Sequence, residues 1–251
     1  MATVQGECGL IEIFCDFTGE EKIITSTTDS ESVGPFICGG EGIEDNDAGA
    51  VIVDTTAYNL NGVIELIGSN EDLDTTALMT GMMFDVALMA PIMMEARVQF
   101  PDMDDKAIFI GFNDACTRDV SIVDVLDSSA GTTLGIAASD VVGFSLSSEL
   151  TEDEMWHCPY AGGSTTTPTV STNVESGVDA VAGEYNILRL EIDPNGTARW
   201  YVDNVLKQTV TGACSTTVEM GFMAASGSNT TEFSVTKIDY ILIRANRDWT
   251  V

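Results

Sequence analysis

The segment from Tyr185 to Thr209, YNILRLEIDPNGTARWYVDNVLKQT, constrains the fold more than any other part of the chain. Leu188, Leu190 and Ile192 alternate with Ile187, Arg189 and Glu191, the two-residue period of a half-buried strand. Asp193-Pro194-Asn195-Gly196 then reverses the chain, because proline presets one turn dihedral and glycine accepts the positive φ that closes the loop. Ala198, Trp200 and Val202 alternate with Thr197, Arg199 and Tyr201, and Asp203-Asn204 offers a second turn before Val205 and Leu206. Two tight turns between alternating strands predict an antiparallel sheet. No catalytic group stands out in this unit, so function is sought in surfaces.

The same rhythm of short apolar runs between Gly, Ser, Thr, Asn and Asp clusters fills the chain and predicts an all-β sandwich or barrel. Strands are expected at 10–17, 23–25, 49–53, 62–68, 77–85, 92–100, 107–113, 120–126, 133–137, 141–147, 185–192, 198–202, 205–210, 218–225 and 236–244. Glu95, Arg97 and Gln99 alternate cleanly with Ala96, Val98 and Phe100. The run AIFIGF at 107–112 is apolar on both faces and reads as a central strand covered on both sides, and 238–243 looks similar. No linker divides the 251 residues, which suggests one domain over 1–251, with an arm at 1–45. The stretch 149–182 reads as a long polar loop excursion, and loops of that length are usually functional or packed against a partner.

Charge narrows the partners. Forty acids against ten Lys and Arg give a net charge of -30, a surface that repels phosphate backbones and anionic membranes. A self-repelling, solubilising exterior is the plain account of it, and cation binding or docking to a basic partner is the functional one. The first ten residues lack the basic and apolar regions of a secretory signal, and 82–94 is too short and too polar to cross a membrane. Use in a bacterial cytoplasm, or in a virus assembling there, is expected. Six cysteines without a CxxC pair read as small core residues, with a Cys8–Cys15 disulfide left open.

Several residues carry candidate chemistry. Asp102, Asp104 and Asp105 crowd a turn at a density of hard oxygens that suits Ca²⁺, although the EF-hand glycine and glutamate are missing. Asp45, Asn46 and Asp47 give a weaker version. Met79, Met82, Met83, Met89, Met93 and Met94 form an adaptable apolar stretch that suits either core or a subunit interface. His157, the only histidine, has no GxSxG nucleophile to serve, so packing is the expected role. Glu152-Asp153-Glu154 reads as a solvated loop. Sequons at Asn195 and Asn229 have no meaning without a signal peptide.

TARWYVDNVL, taken with EARVQF, DKAIFIGFND and KIDYILIRANRDW, resembles the concanavalin-like, laminin-G-like jelly-roll sandwich. The set also resembles the capsid decoration (cement) proteins of tailed phages. That resemblance implies a non-enzymatic structural virion protein on the capsid exterior, a trimer bound to the major capsid protein, with no cofactor unless calcium. Lectins and carbohydrate-binding modules share the sandwich, and the alternative it implies is a glycan-binding module in which Trp156, Tyr160 and Trp249 stack on sugar rings. The hydrolase branch implies Glu-x-Asp-x-Glu or Glu-x-Asp-x-x-Glu on one strand. Glu191-Ile192-Asp193 starts that pattern, but Pro194 bends the chain away and the second Glu is absent.

Overall fold

The computed structural model describes residues 2–5, 9–19, 21–25, 31–43, 48–54, 62–127 and 129–247. Among these, two ten-stranded antiparallel sheets stack face to face as a concanavalin-like jelly-roll sandwich. The first sheet runs in spatial order Val205–Val210, Ala198–Val202, Tyr185–Ile192, Ile92–Gln99, Val235–Asn246, Val63–Ile67, Ala50–Asp54 and Lys22–Ile24. Leu10–Cys15 also pairs with Val235–Asn246, and Ala2–Gln5 adds to it. The second sheet runs Glu175–Asp179, Met155–His157, Val141–Ser147, Lys106–Asn113, Glu219–Ser228, Thr75–Met79, Phe36–Gly39 and Ser32–Val33. Tyr160–Ala161 and Phe84–Asp85 attach to it as two-residue strands.

The opening segment folds as its pattern predicts. Asp193 N–H donates to the Thr197 carbonyl at 2.9 Å, and Gly196 takes φ 73° to close the turn. Asp203 and Asn204 both have positive φ, 51° and 65°, the pairing of a two-residue turn whose twist matches its strands. Leu188, Leu190 and Ile192 stand opposite Val202, Trp200 and Ala198, so one face of the hairpin is entirely core. Two tryptophans stitch the sheets together across that core. Trp200 Nε1 donates to the Gly143 carbonyl of the opposite sheet at 2.6 Å. Trp156 Nε1, from the second sheet, donates back to Asn186 Oδ1 of the first at 3.1 Å.

Lys106–Asn113 is buried along its whole length, as the two-faced apolar run predicts. Ile108, Ile110 and Phe112 enter the intersheet core, while Ala107 and Phe109 face outward into a second apolar cluster. The cover over that outer face comes from 114–127 and 129–140, which contribute Val120, Ile122, Val125 and Ala138. Gly111 and Gly143 are directly paired beneath the Phe109 ring, and a Cβ on Gly143 would stand 2.9 Å from its Cε2. The glycine pair makes the hollow that the phenyl ring fills.

Four expectations are corrected here. The runs 120–126 and 133–137 are apolar because they cover a sheet, not because they join one. The first holds a 3-10 turn at Ile122–Asp124, anchored by Ile122 N–H to Thr75 Oγ1 at 2.7 Å. The second has no ladder beyond isolated bridges at Thr133. The run 77–85 is broken, ending as a strand at Met79 and resuming only at Phe84–Asp85. Within 149–182 the chain is less irregular than expected, carrying Met155–His157, Tyr160–Ala161 and Glu175–Asp179.

Candidate functional site

At one end of the sandwich, three loops meet. Gly162, Gly163 and Ser164 follow the Tyr160–Ala161 strand, Pro194 and Asn195 form the hairpin turn, and Gly212 to Thr216 lead into Glu219–Ser228. Together they line an open hollow of about 400 Å³. Glycines let the backbones touch, since a Cβ on Gly163 would fall 2.1 Å from the Gly212 carbonyl oxygen. Thr165 N–H donates to that carbonyl at 3.0 Å, and Ala213 N–H donates to the Gly196 carbonyl at 2.7 Å. Asn195 Oδ1 accepts from Thr197 N–H at 3.1 Å, which fixes the orientation of its side-chain amide.

Asp140 positions the hollow from below. It is buried, and its Oδ1 accepts from Ser215 N–H at 3.0 Å. Its own N–H donates to Asp114 Oδ1 at 3.2 Å. Burial raises the Asp140 pKa first, the neighbouring Asp114 charge adds to it, and the Ser215 hydrogen bond opposes it. A Cβ on Gly162 would overlap the same carboxylate, so the loop can pass only as glycine. None of the nine residues lining the hollow is charged, and Ser164, Asn195, Ser215 and Thr216 supply neutral donors and acceptors.

A second open cleft, about 530 Å³, is lined by Asp114, Asp119 and Asp124 among small residues. Beside it, Glu41 is raised above its ordinary pKa, first by burial and then by Asp74, Asp124 and Asp119. Among the described residues, no three His, Cys, Asp or Glu side chains converge to hold a metal ion.

The residues singled out in the sequence scatter. Asp102 pairs with Lys106, whose Nζ lies 2.8 Å from its Oδ1. Asp104 and Asp105 sit in the turn beyond, where Asp105 takes φ 55°. Asp45, Asn46, Asp47 and Trp249 lie outside the described residues. Trp156 and Tyr160, expected to be exposed platforms for sugar rings, are core residues. Trp156 packs on Phe100 and Phe144 from a strand paired on both sides, and Tyr160, on a two-residue strand paired on one side only, packs on Trp200, so both rings turn inward. Met79, Met89 and Met94 are buried in the chain's own core, Met93 is half-buried, and only Met82 and Met83 are exposed.

Glu191 and Asp193 lie on the outer face of the first sheet, tied to basic partners. Asp193 takes a two-pronged contact from Arg199, at 3.0 and 2.6 Å, which holds its carboxyl below the ordinary range. Glu191 lies 3.4 Å from Arg189 Nε and accepts from Tyr201 Oη at 3.2 Å. Glu152, Asp153 and Glu154 are exposed, as a solvated loop requires. The described cysteines are free thiols, and burial pushes Cys38, Cys116 and Cys214 up to about 12. The sequence reading missed the loop-end hollow. Its only trace is a set of Gly, Ser and Thr clusters indistinguishable from ordinary turns.

No family model and no curated protein matches the sequence. The fold has solved counterparts. A protein of unknown function from Shewanella oneidensis MR-1 superposes with a TM-score of 0.59 at 11% identity, covering 96% of this chain and 89% of that one. LamAcat from Zobellia galactanivorans gives 0.55 at 11% identity over 92% and 95%. The potassium-bound carbohydrate recognition domain of Emp46p gives 0.52 at 9% identity over 91% and 95%, and that domain is also solved metal-free. Nothing in these likenesses points to tailed-phage decoration proteins. At such identities they establish the architecture alone: an antiparallel jelly-roll sandwich of the concanavalin-like kind.

Proposed function

We propose that this protein is a lectin-like module that binds a neutral glycan in the loop-end hollow. One observation carries the reading. In a chain with 40 acids, a hollow of about 400 Å³ is lined without a single charged side chain and with four neutral hydroxyl or amide side chains. A polyhydroxylated, uncharged ligand needs many modest hydrogen bonds and no counter-ion, and this lining offers that chemistry. The fold shared with the carbohydrate recognition domain of Emp46p supports the reading, without supplying residues. Binding rather than bond cleavage is also supported by Asp193 and Glu191, whose carboxylates are engaged by Arg199 and Tyr201.

Asp140 is a positioning residue in this scheme, holding the 212–216 loop through Ser215 N–H. A glycan array followed by calorimetry on a hit tests the proposal. Replacing Asn195 and Ser215 by alanine should weaken binding about tenfold or more, equivalent to roughly 1.4 kcal/mol, with the far-UV spectrum unchanged. Silence across neutral glycans, or full affinity in the double variant, would overturn it.

A further inference from the structure

A different cavity lies over the ends of Lys106–Asn113 and Val141–Ser147, about 210 Å³ in volume. Its walls are mostly aliphatic, from Leu73, Ile122, Leu126, Leu134, Leu146 and Leu150. Ser145 also lines it. That side chain is 98% buried (2% exposed), and its Oγ has no hydrogen-bond partner. Burying a hydroxyl without a partner is costly, so a serine is a poor choice for this wall unless something bonds to it. Directly opposite Ser145 in the sheet stands His157, fully buried, with neither ring nitrogen partnered. Ser145, on the wall of the chamber, and His157, its partner across the sheet, are therefore two neighbouring orphaned polar residues.

Size and charge narrow the occupant. An enclosed apolar cavity of roughly 150 Å³ suffices to take benzene, whereas a single water needs only about 15 Å³. The one charged residue in the lining is Glu149, which disfavours an anion, and the polar side chains of Ser129, Ser147 and Asn229 are engaged with the protein's own groups, so the mostly aliphatic walls offer little to the many hydroxyls of a sugar. The near wall is held in place by backbone bonds. Gly131 N–H donates to the Glu149 carbonyl, and Thr151 N–H donates to the Gly131 carbonyl, each at 2.8 Å.

We propose that this cavity is a binding site for a small, uncharged, largely apolar molecule bearing one hydroxyl or carbonyl group, which bonds to Ser145 Oγ. It is separate from the glycan hollow and does not depend on that reading. Benzyl alcohol is a suitable probe, with benzoate and glucose as the anionic and polyol arms. Amide resonances of the intact protein are followed by two-dimensional NMR during titration. Benzyl alcohol should shift resonances at 129–134 and 145–150 saturably, with a dissociation constant on the order of 1 mM for so few atoms. Benzoate and glucose should leave those resonances in place. Ser145→Ala should weaken benzyl alcohol about fivefold, the loss of one hydrogen bond. Leu126→Trp, which fills the chamber, should abolish the shifts. If Leu126→Trp does not fold, Ser145→Ala and the two control ligands still decide the matter. No saturable shift with benzyl alcohol, equal shifts with benzoate, or unchanged affinity in Ser145→Ala would overturn the site.

Discussion

The outer faces of the two sheets obey the same pleat and end in opposite states. On the first sheet the outer face is open to water and laced with ion pairs: Arg97–Asp239 at 2.6 Å, Lys237–Glu65 at 2.7 Å, Arg199–Asp193 at 2.6 Å and Arg244–Glu12 at 2.6 Å. Arg97 and Arg189 also lie over the rings of Tyr185 and Tyr201, 3.8 and 4.3 Å from their centroids. On the second sheet, Ala77, Met79, Phe109, Met223 and Ala225 face outward but are sealed beneath Val120, Ile122, Val125 and Ala138. Half of the chain's ten basic residues are gathered on the open face, so the strong negative charge resides elsewhere, on loops and edges. A sandwich can thus keep one face as a charge-balanced, solvated surface and use its own chain as the lid on the other. The candidate sites follow that division, with the apolar cavity under the lid and the neutral hollow at the end of the sandwich.

The comparison breaks hardest at Phe109. Its ring fills the hollow over Gly111 and Gly143 and is fully buried, so Phe109→Ala should cost about 4 kcal/mol in urea unfolding, from lost transfer energy plus a cavity. A loss under about 1 kcal/mol would mean that the cover is loosely packed and the face not truly sealed. Next in size is the Lys106–Asp102 pair, where a fully buried ammonium meets a carboxylate that is 53% exposed. Asp102→Ala strands the buried charge and should cost about 2 kcal/mol, reduced from the fully buried case by solvent screening. Lys106→Met, which removes the charge itself, should be close to neutral. Equal losses in both variants would show that the lysine is held by its packing rather than by its partner.

Much of the open sheet was legible in the sequence, because a face exposed to water enforces strict alternation. Glu95, Arg97 and Gln99 declare their side at once, and the turns at 193–196 and 203–204 fix the register through Gly, Pro, Asp and Asn chemistry. The covered sheet was legible only in part. AIFIGF announced that both faces are buried, yet not what buries them, and an apolar cover such as 120–126 has the composition of a strand. The site was less legible still. Trp156 and Tyr160 lie among polar neighbours, which suggested exposure, but tertiary packing turned both rings inward. The hollow is made by backbone approach between three distant loops, and that information lies in the tertiary fold rather than in any local pattern.

His157 gives the covered sheet a pH dependence near neutrality. Burial depresses its pKa below the ordinary 6.5, against a smaller opposing pull from the Met155 backbone, which lies outside hydrogen-bonding geometry. Between the depressed folded value and 6.5, the unfolded chain carries a proton that the folded chain does not. Stability therefore rises with pH through that window and falls as the solution is acidified below 6.5. The slope reaches at most about 1.4 kcal/mol per pH unit. Denaturant melts at pH 7, 6 and 5 should show it, and His157→Gln should flatten it; an identical slope in the variant would assign the effect to other groups.

The smallest expected effect belongs to the open face. Arg97 and Asp239 are partly exposed, so a double-mutant cycle with alanine should give a coupling of about 0.5–1 kcal/mol. Salt should act on this pair and on the whole protein in opposite directions. Added salt screens the Arg97–Asp239 attraction and shrinks the coupling, while it also screens the self-repulsion of a chain at net charge -30 and raises total stability. Melting temperature alone would confuse the two, whereas the cycle cancels the global term because it is common to all four proteins. Repeating the cycle at about 1 M salt, where the screening length falls to roughly 3 Å, should reduce the coupling toward zero as every variant becomes more stable. A coupling that survives unchanged would mean that the Tyr185 ring beneath Arg97 excludes enough water to make this corner of the open face behave like the sealed one.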